Sequence, residues 1–121
     1  MKFEPGTYVI CDPCYVFNSD EWEKVCEQMF KDPENAEVKM PTGSFWQHHT
    51  AYGAGLFKDD SGCEYGVDSG TLGVVPLAMA NKEKMKDVMH LIRVMNFAEA
   101  FEPSYKDGTF TFGKITISTG G

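Results

Sequence analysis

Along this chain, short apolar runs with strand-like periodicity surround one clear stripe of helical period. Gly6-Thr7-Tyr8-Val9-Ile10-Cys11 is rich in β-branched and aromatic residues and stops at Asp12-Pro13. There proline fixes its own φ and an aspartate side chain favours a turn, which predicts a strand over 6–11. Beyond Cys14-Tyr15-Val16-Phe17, Asn18 is followed three residues later by Glu21 in the form of a capping box. Trp22, Val25, Cys26, Met29 and Phe30 then fall at i, i+3, i+4, i+7 and i+8, which predicts a helix laying one stripe on a sheet.

The next stretch, Lys31 to Ser44, carries Pro33, Pro41 and Gly43 with little periodicity and reads as a surface connection with room for short extended pieces. Apolar sequence resumes at Phe45-Trp46, and His49 to Phe57 predicts a strand interrupted at Gly53-Ala54-Gly55. Lys58 to Gly62 reads as a polar hairpin loop into Cys63–Asp68, and a turn at Ser69-Gly70 precedes a strand over Thr71–Val75 that Pro76 closes. Asn81 caps an expected second helix from Lys82 to about Leu91, with Met85, Val88, Met89 and Ile92 inward. Extended chain should follow through Phe97, Phe101 and Tyr105 to Lys106, with a tight hairpin at Asp107-Gly108. Phe110 and Phe112 share one parity and Ile115 and Ile117 the other, so a bulge at Gly113 is expected to keep all four on the core face. The expected fold is α+β: a single domain over 1–121, built on a mainly antiparallel β-sheet or partial barrel with two packed helices.

Composition narrows the partners. With 42% hydrophobic residues in 121 the chain can build one real core, and no apolar run approaches the roughly 20 residues a spanning helix needs. The sequence near Met1 lacks the pattern of a secretory signal, so a cytoplasmic location is expected. Eighteen acids against 11 bases give a net charge of −7, and Arg93 is the sole arginine. Duplex nucleic acid is therefore an unfavourable partner, since it needs a basic face. Lys82, Lys84 and Lys86 form the one basic cluster and read first as a solvated helix start.

Three motifs suggest chemistry and each lacks its complement. Cys11-Asp12-Pro13-Cys14 has C-x-x-C spacing, but a zinc site would need Cys26, Cys63, His48 or His49 as further ligands, none of which forms a second close pair with a cysteine, and no helix begins directly behind it. Val67-Asp68-Ser69-Gly70-Thr71 spells the string with which aspartic proteases place paired aspartates, yet only 50 residues follow it; the simpler reading is a tight turn whose Asp68 and Ser69 bond nearby amides. His48-His49-Thr50 holds one copy of an H-x-T spacing that two-histidine phosphoesterases use twice. No metal and no cofactor is expected.

Taken together, Gly6 to Tyr15, Gly66 to Gly73 and Asp107 to Gly113 resemble a family of small, mostly uncharacterised proteins of tailed bacteriophages and bacteria. Its members share a strand ending in Gly-Asp-Pro-Cys-Tyr and a later Val-Asp-Ser-Gly. Where that pattern has glycine this chain has Cys11. The resemblance implies a bacterial or host-cell cytoplasmic setting, in which small accessory proteins block a host defence process or sequester a host signal. The leading expectation is a non-enzymatic binding protein for a small nucleotide-like ligand or a host protein, with its oligomeric state open. Tyr15, Trp46, His48, Tyr52 and Tyr65 are the candidate stacking residues and Lys82 the candidate phosphate partner. Asp12, Cys14, Asp68, Ser69 and Gly70 are expected to hold the two turns. The alternatives are a hydrolase using Asp12 and Asp68, with His48 or His49, and a virion structural component.

Overall fold

The computed structural model describes residues 1–120. Among these residues ten strands and two helices follow one another: β1 (Gly6–Cys11), α1 (Ser19–Lys31), β2 (Glu37–Met40), β3 (Gly43–His49), β4 (Gly55–Lys58), β5 (Glu64–Val67), β6 (Thr71–Pro76), α2 (Lys82–Lys86), β7 (Arg93–Phe97), β8 (Ser104–Lys106), β9 (Thr109–Phe112) and β10 (Ile115–Ser118). Single 3-10 turns at Pro13–Tyr15 and Leu77–Met79 follow β1 and β6. The expected α+β architecture is the one observed.

A five-stranded sheet in the order β2-β3-β6-β1-β7, antiparallel throughout, is the backbone of the molecule. Because side chains alternate across a strand, its two faces feed two separate cores. Val9, Cys11, Phe45 and Val75 face α1 and the 3-10 turns, meeting Val16, Phe17, Val25, Met79 and Met85. Tyr8, Ile10, Trp46, Leu72 and Val74 face the other way, against the sheet β10-β9-β8 and the β4–β5 hairpin, meeting Tyr65, Phe110, Phe112, Ile115 and Ile117. The hairpin is fastened to β10 through the Asp59–Ile117 bridge and the Asp60 N–H to Thr116 carbonyl bond.

The first strand and the first helix match the sequence reading, including the capping box: the Asn18 side chain accepts from Glu21 N–H at 2.9 Å and Glu21 from Asn18 N–H at 3.1 Å. Phe30 departs from its stripe and is 88% exposed. The surface connection contains a true strand, β2, paired to β3 from Glu37–Trp46 to Met40–Gly43. The strand expected from His49 to Phe57 is instead two: β3 ends at His49, and β4 begins at Gly55 after a loop held by the Thr50 hydroxyl on the Gly53 carbonyl.

The second helix is cut to Lys82–Lys86, with Asn81 capping Glu83 and Lys84 as expected. The chain beyond it tightens into i to i+3 bonds and must then extend, since the Leu91 carbonyl accepts from Gly66 N–H; Met89 is left exposed. At the far end all four of Phe110, Phe112, Ile115 and Ile117 are buried, by a different device from the expected bulge. Gly113-Lys114 is a hairpin turn that sets Phe112 opposite Ile115 and Phe110 opposite Ile117, so the parity switch is a change of strand. Asp107-Gly108 forms its hairpin with positive φ at both residues, +50° and +87°, as the Asp-Gly pair predicts.

Candidate functional site

The turn at the end of β1 is organised by one carboxylate. Asp12 is fully buried, and both of its oxygens are occupied by the chain itself. Oδ1 accepts from Cys14 N–H at 3.0 Å and the Ser69 hydroxyl at 2.7 Å; Oδ2 accepts from Asp68 N–H at 2.8 Å and Ser69 N–H at 2.6 Å. Gly70, at φ +89°, lets the chain reverse into β6. The structure thus joins Asp12, Cys14, Asp68, Ser69 and Gly70 in one clamp between the ends of β1 and β5. The neighbouring thiols are held protonated. Burial, then the charge of Asp12, pushes Cys14 up to about 12, and burial lifts Cys11 well above its ordinary value. Thiol–disulfide exchange proceeds through the thiolate, which both shifts disfavour.

From Ser69 a polar chain runs inward. The Ser69 and Thr71 hydroxyls lie 3.0 Å apart, and Thr71 Oγ1 lies 3.0 Å from Gln47 Oε1. Gln47 shares its face of β3 with Phe45, a core position, and is only 3% exposed; its Nε2 is buried without a partner among the described residues. Gly73, directly opposite, makes this possible: a Cβ there would sit 2.2 Å from the Trp46 carbonyl oxygen and 2.9 Å from Gln47 Cβ.

Gln47 and Thr71 border a hollow of about 20 Å³, room for one water-sized group, together with Asn35, Ala36 and the two histidines. A larger hollow of about 440 Å³ adjoins it, walled by Trp22, Cys26, Met29, Phe30, Pro33, His49 and Ser69. The two share Met29, Pro33 and His49 as walls, and the larger is a groove between α1 and the ends of β3 and β6. The volume is that of a small-molecule site, and the walls are apolar with few polar groups, as such sites are. Phe30 stands at its lip.

The candidate stacking residues do not converge there. Trp46 is buried edge-on against Phe110 and Phe112, and Tyr65 is wholly buried with its hydroxyl on Asp59, so neither offers a face to a base. His48 already stacks on Tyr105 at 3.9 Å between ring centroids. Tyr15 packs half-buried on the α1-side core, and Tyr52 is 76% exposed in the loop after β3. Lys82 donates to the Leu77 and Ala80 carbonyls at 2.5 and 3.0 Å, which assigns its charge to closing the second 3-10 turn instead of holding a phosphate. Arg93 is committed to Asp59 at 2.6 Å. Sequence reading overlooked Gln47 and Thr71; the signal was a polar residue at a core-parity position in each of two adjacent strands.

Among the described residues, no cluster of three histidines, cysteines or carboxylates could hold a metal ion, and no helix is long and apolar enough to cross a membrane. The chain matches no known family model, no curated protein and no solved structure.

Proposed function

We propose that the protein holds a small molecule in the groove between α1 and the ends of β3 and β6, and holds it without converting it. The observation that carries this reading is the hollow of about 440 Å³ with its mainly apolar walls, among them Trp22, Met29 and Phe30. Hydrolysis by Asp12 with Asp68 gains no support, since four hydrogen bonds from the chain occupy the Asp12 carboxylate. Binding without turnover suits the cytoplasmic, sequestering accessory role that the resemblance to phage and bacterial proteins implies.

Native mass spectrometry and calorimetry test this against nucleobases, nucleosides, cyclic nucleotides, ADP-ribose and bicyclic aromatics. The expected result is a one-to-one complex that releases its ligand unchanged and is strongly weakened by Met29→Trp, which fills the groove. Failure of every compound to bind, indifference to Met29→Trp, or recovery of a product would overturn the reading.

A further inference from the structure

The groove beside α1 combines aromatic walls with surrounding charge of a single sign. Trp22 and Phe30 both line it and stand eight residues apart on one stripe of the helix. That is about 12 Å along the axis, the length of a two-ring molecule. Cys26 and Met29 lie between them in the same wall. Trp22 is half-buried and Phe30 is 88% exposed. The face of an aromatic ring is its negative side, so two such rings at one hollow favour a positive guest over a negative one. Opposite the helix, Ser69 is committed to the clamp. Its hydroxyl donates to Asp12 Oδ1, while its N–H and that of Asp68 donate to Oδ2. These three donors are therefore taken, and Ser69 has only oxygen lone pairs left to offer.

The neighbouring charges agree with the rings. Pro33 in the wall lies between Asp32 and Glu34, and Ser69 follows Asp68; all three carboxylates are exposed. A fourth, Glu23, stands beside Cys26, whose thiol is raised first by burial and then by that charge. Among the described residues no lysine or arginine lines this hollow or the small one next to it. Lys31 lines a different hollow, together with Asp32 and Glu37. His49 is the one wall residue able to take a positive charge.

Resting on the binding reading above, we infer that the groove selects a flat organic cation, such as an N-alkylated aromatic heterocycle, held between Trp22 and Phe30 within a ring of carboxylates. Charge spread over such a molecule strengthens its stacking on electron-rich rings and asks for few hydrogen bonds, which suits walls that are mainly apolar. A phosphate or carboxylate would meet the same acids with no lysine or arginine to offset them.

Three probes on one bicyclic frame isolate the charge at pH 8, where imidazole and quinoline are neutral. N-methylquinolinium is a cation, 4-methylquinoline is neutral and quinoline-4-carboxylate is an anion. Titration of the ¹⁵N-labelled protein, followed on backbone amides of Trp22, Met29 and His49, should show the cation binding about five- to tenfold more tightly than the neutral probe, and the anion more weakly than either. A protein of net charge −7 attracts any cation, so the rings must be shown to be the cause. Phe30→Leu and Trp22→Leu keep an apolar wall and remove one ring each; each should cut the cation's lead over the neutral probe to about two- to threefold. If Trp22→Leu does not fold, Phe30→Leu still decides, because that side chain is already exposed. A lead that survives Phe30→Leu unchanged, or cation shifts confined to amides outside the groove, overturns the inference in favour of general attraction. Equal binding of the three probes overturns the charge preference while leaving the groove a binding site, and preference for the anion overturns it in the opposite sense. No shift with any probe at millimolar concentration removes the binding reading itself.

Discussion

Two buried carboxylates, Asp12 and Asp59, each gather a separate part of the chain, and Asp59 gives the clearer solution signature. Its Oδ1 accepts from Ser61 N–H, the Ser61 hydroxyl and Cys63 N–H, and its Oδ2 from the Tyr65 hydroxyl and Arg93. Burial alone would raise the Asp59 carboxyl; the bonds from Tyr65, Ser61 and Cys63 outweigh burial and bring it down to about 2 from an ordinary 3.8. A depressed folded-state value means stability fully present above about pH 4 and lost as pH falls toward 2. The amount at stake is about 2 kcal/mol. Urea unfolding at pH 6, 4 and 2 should show this loss, and Asp59→Asn should be less stable at pH 6 and fall more shallowly below pH 4. Parallel curves for the two proteins would contradict the assignment.

At the scale of single elements, α1 depends on its first turn. Removing the Asn18 oxygen leaves Glu21 N–H uncapped, so Asn18→Ala should cost about 1 kcal/mol in urea unfolding while leaving the fold intact. Such local chemistry is what made parts of the fold legible: β1, the start of α1 and the Asp107-Gly108 hairpin all follow from side chains acting on backbone within a few residues. Where the sequence misled, tertiary demands had overridden local ones. The Lys82–Leu91 stripe has helical spacing, but Leu91 must pair with Gly66, and the helix stops after Lys86. Gly113 carried the right consequence for four core side chains and the wrong device, because a bulge and a change of strand alter parity alike. The two turns were legible from Asp-Pro and Asp-Ser-Gly, but Asp68 and Ser69 were expected to bond nearby amides, whereas their own N–H groups donate to the Asp12 carboxylate, which joins the turns across 56 residues of chain. Gln47 and Thr71 were not legible, because only strand pairing sets one polar side chain against another and beside α1.

For the molecule as a whole, the decisive feature is that one sheet serves two cores back to back. Phe17 lies in one and Phe110 in the other, both fully buried. Phe17→Ala and Phe110→Ala should each cost about 3–5 kcal/mol, and each should move a single transition seen alike by tryptophan fluorescence and far-ultraviolet circular dichroism. Two separated transitions would mean that the layers fold independently. The order of strands in that sheet also has a consequence during synthesis. β1 lies between β6 and β7, whose residues begin only at Thr71 and Arg93. As the polypeptide leaves the ribosome, this apolar segment emerges long before either neighbour exists to cover it. The nascent chain therefore carries a sticky, unpaired ribbon until those later strands follow it, a stage exposed to aggregation.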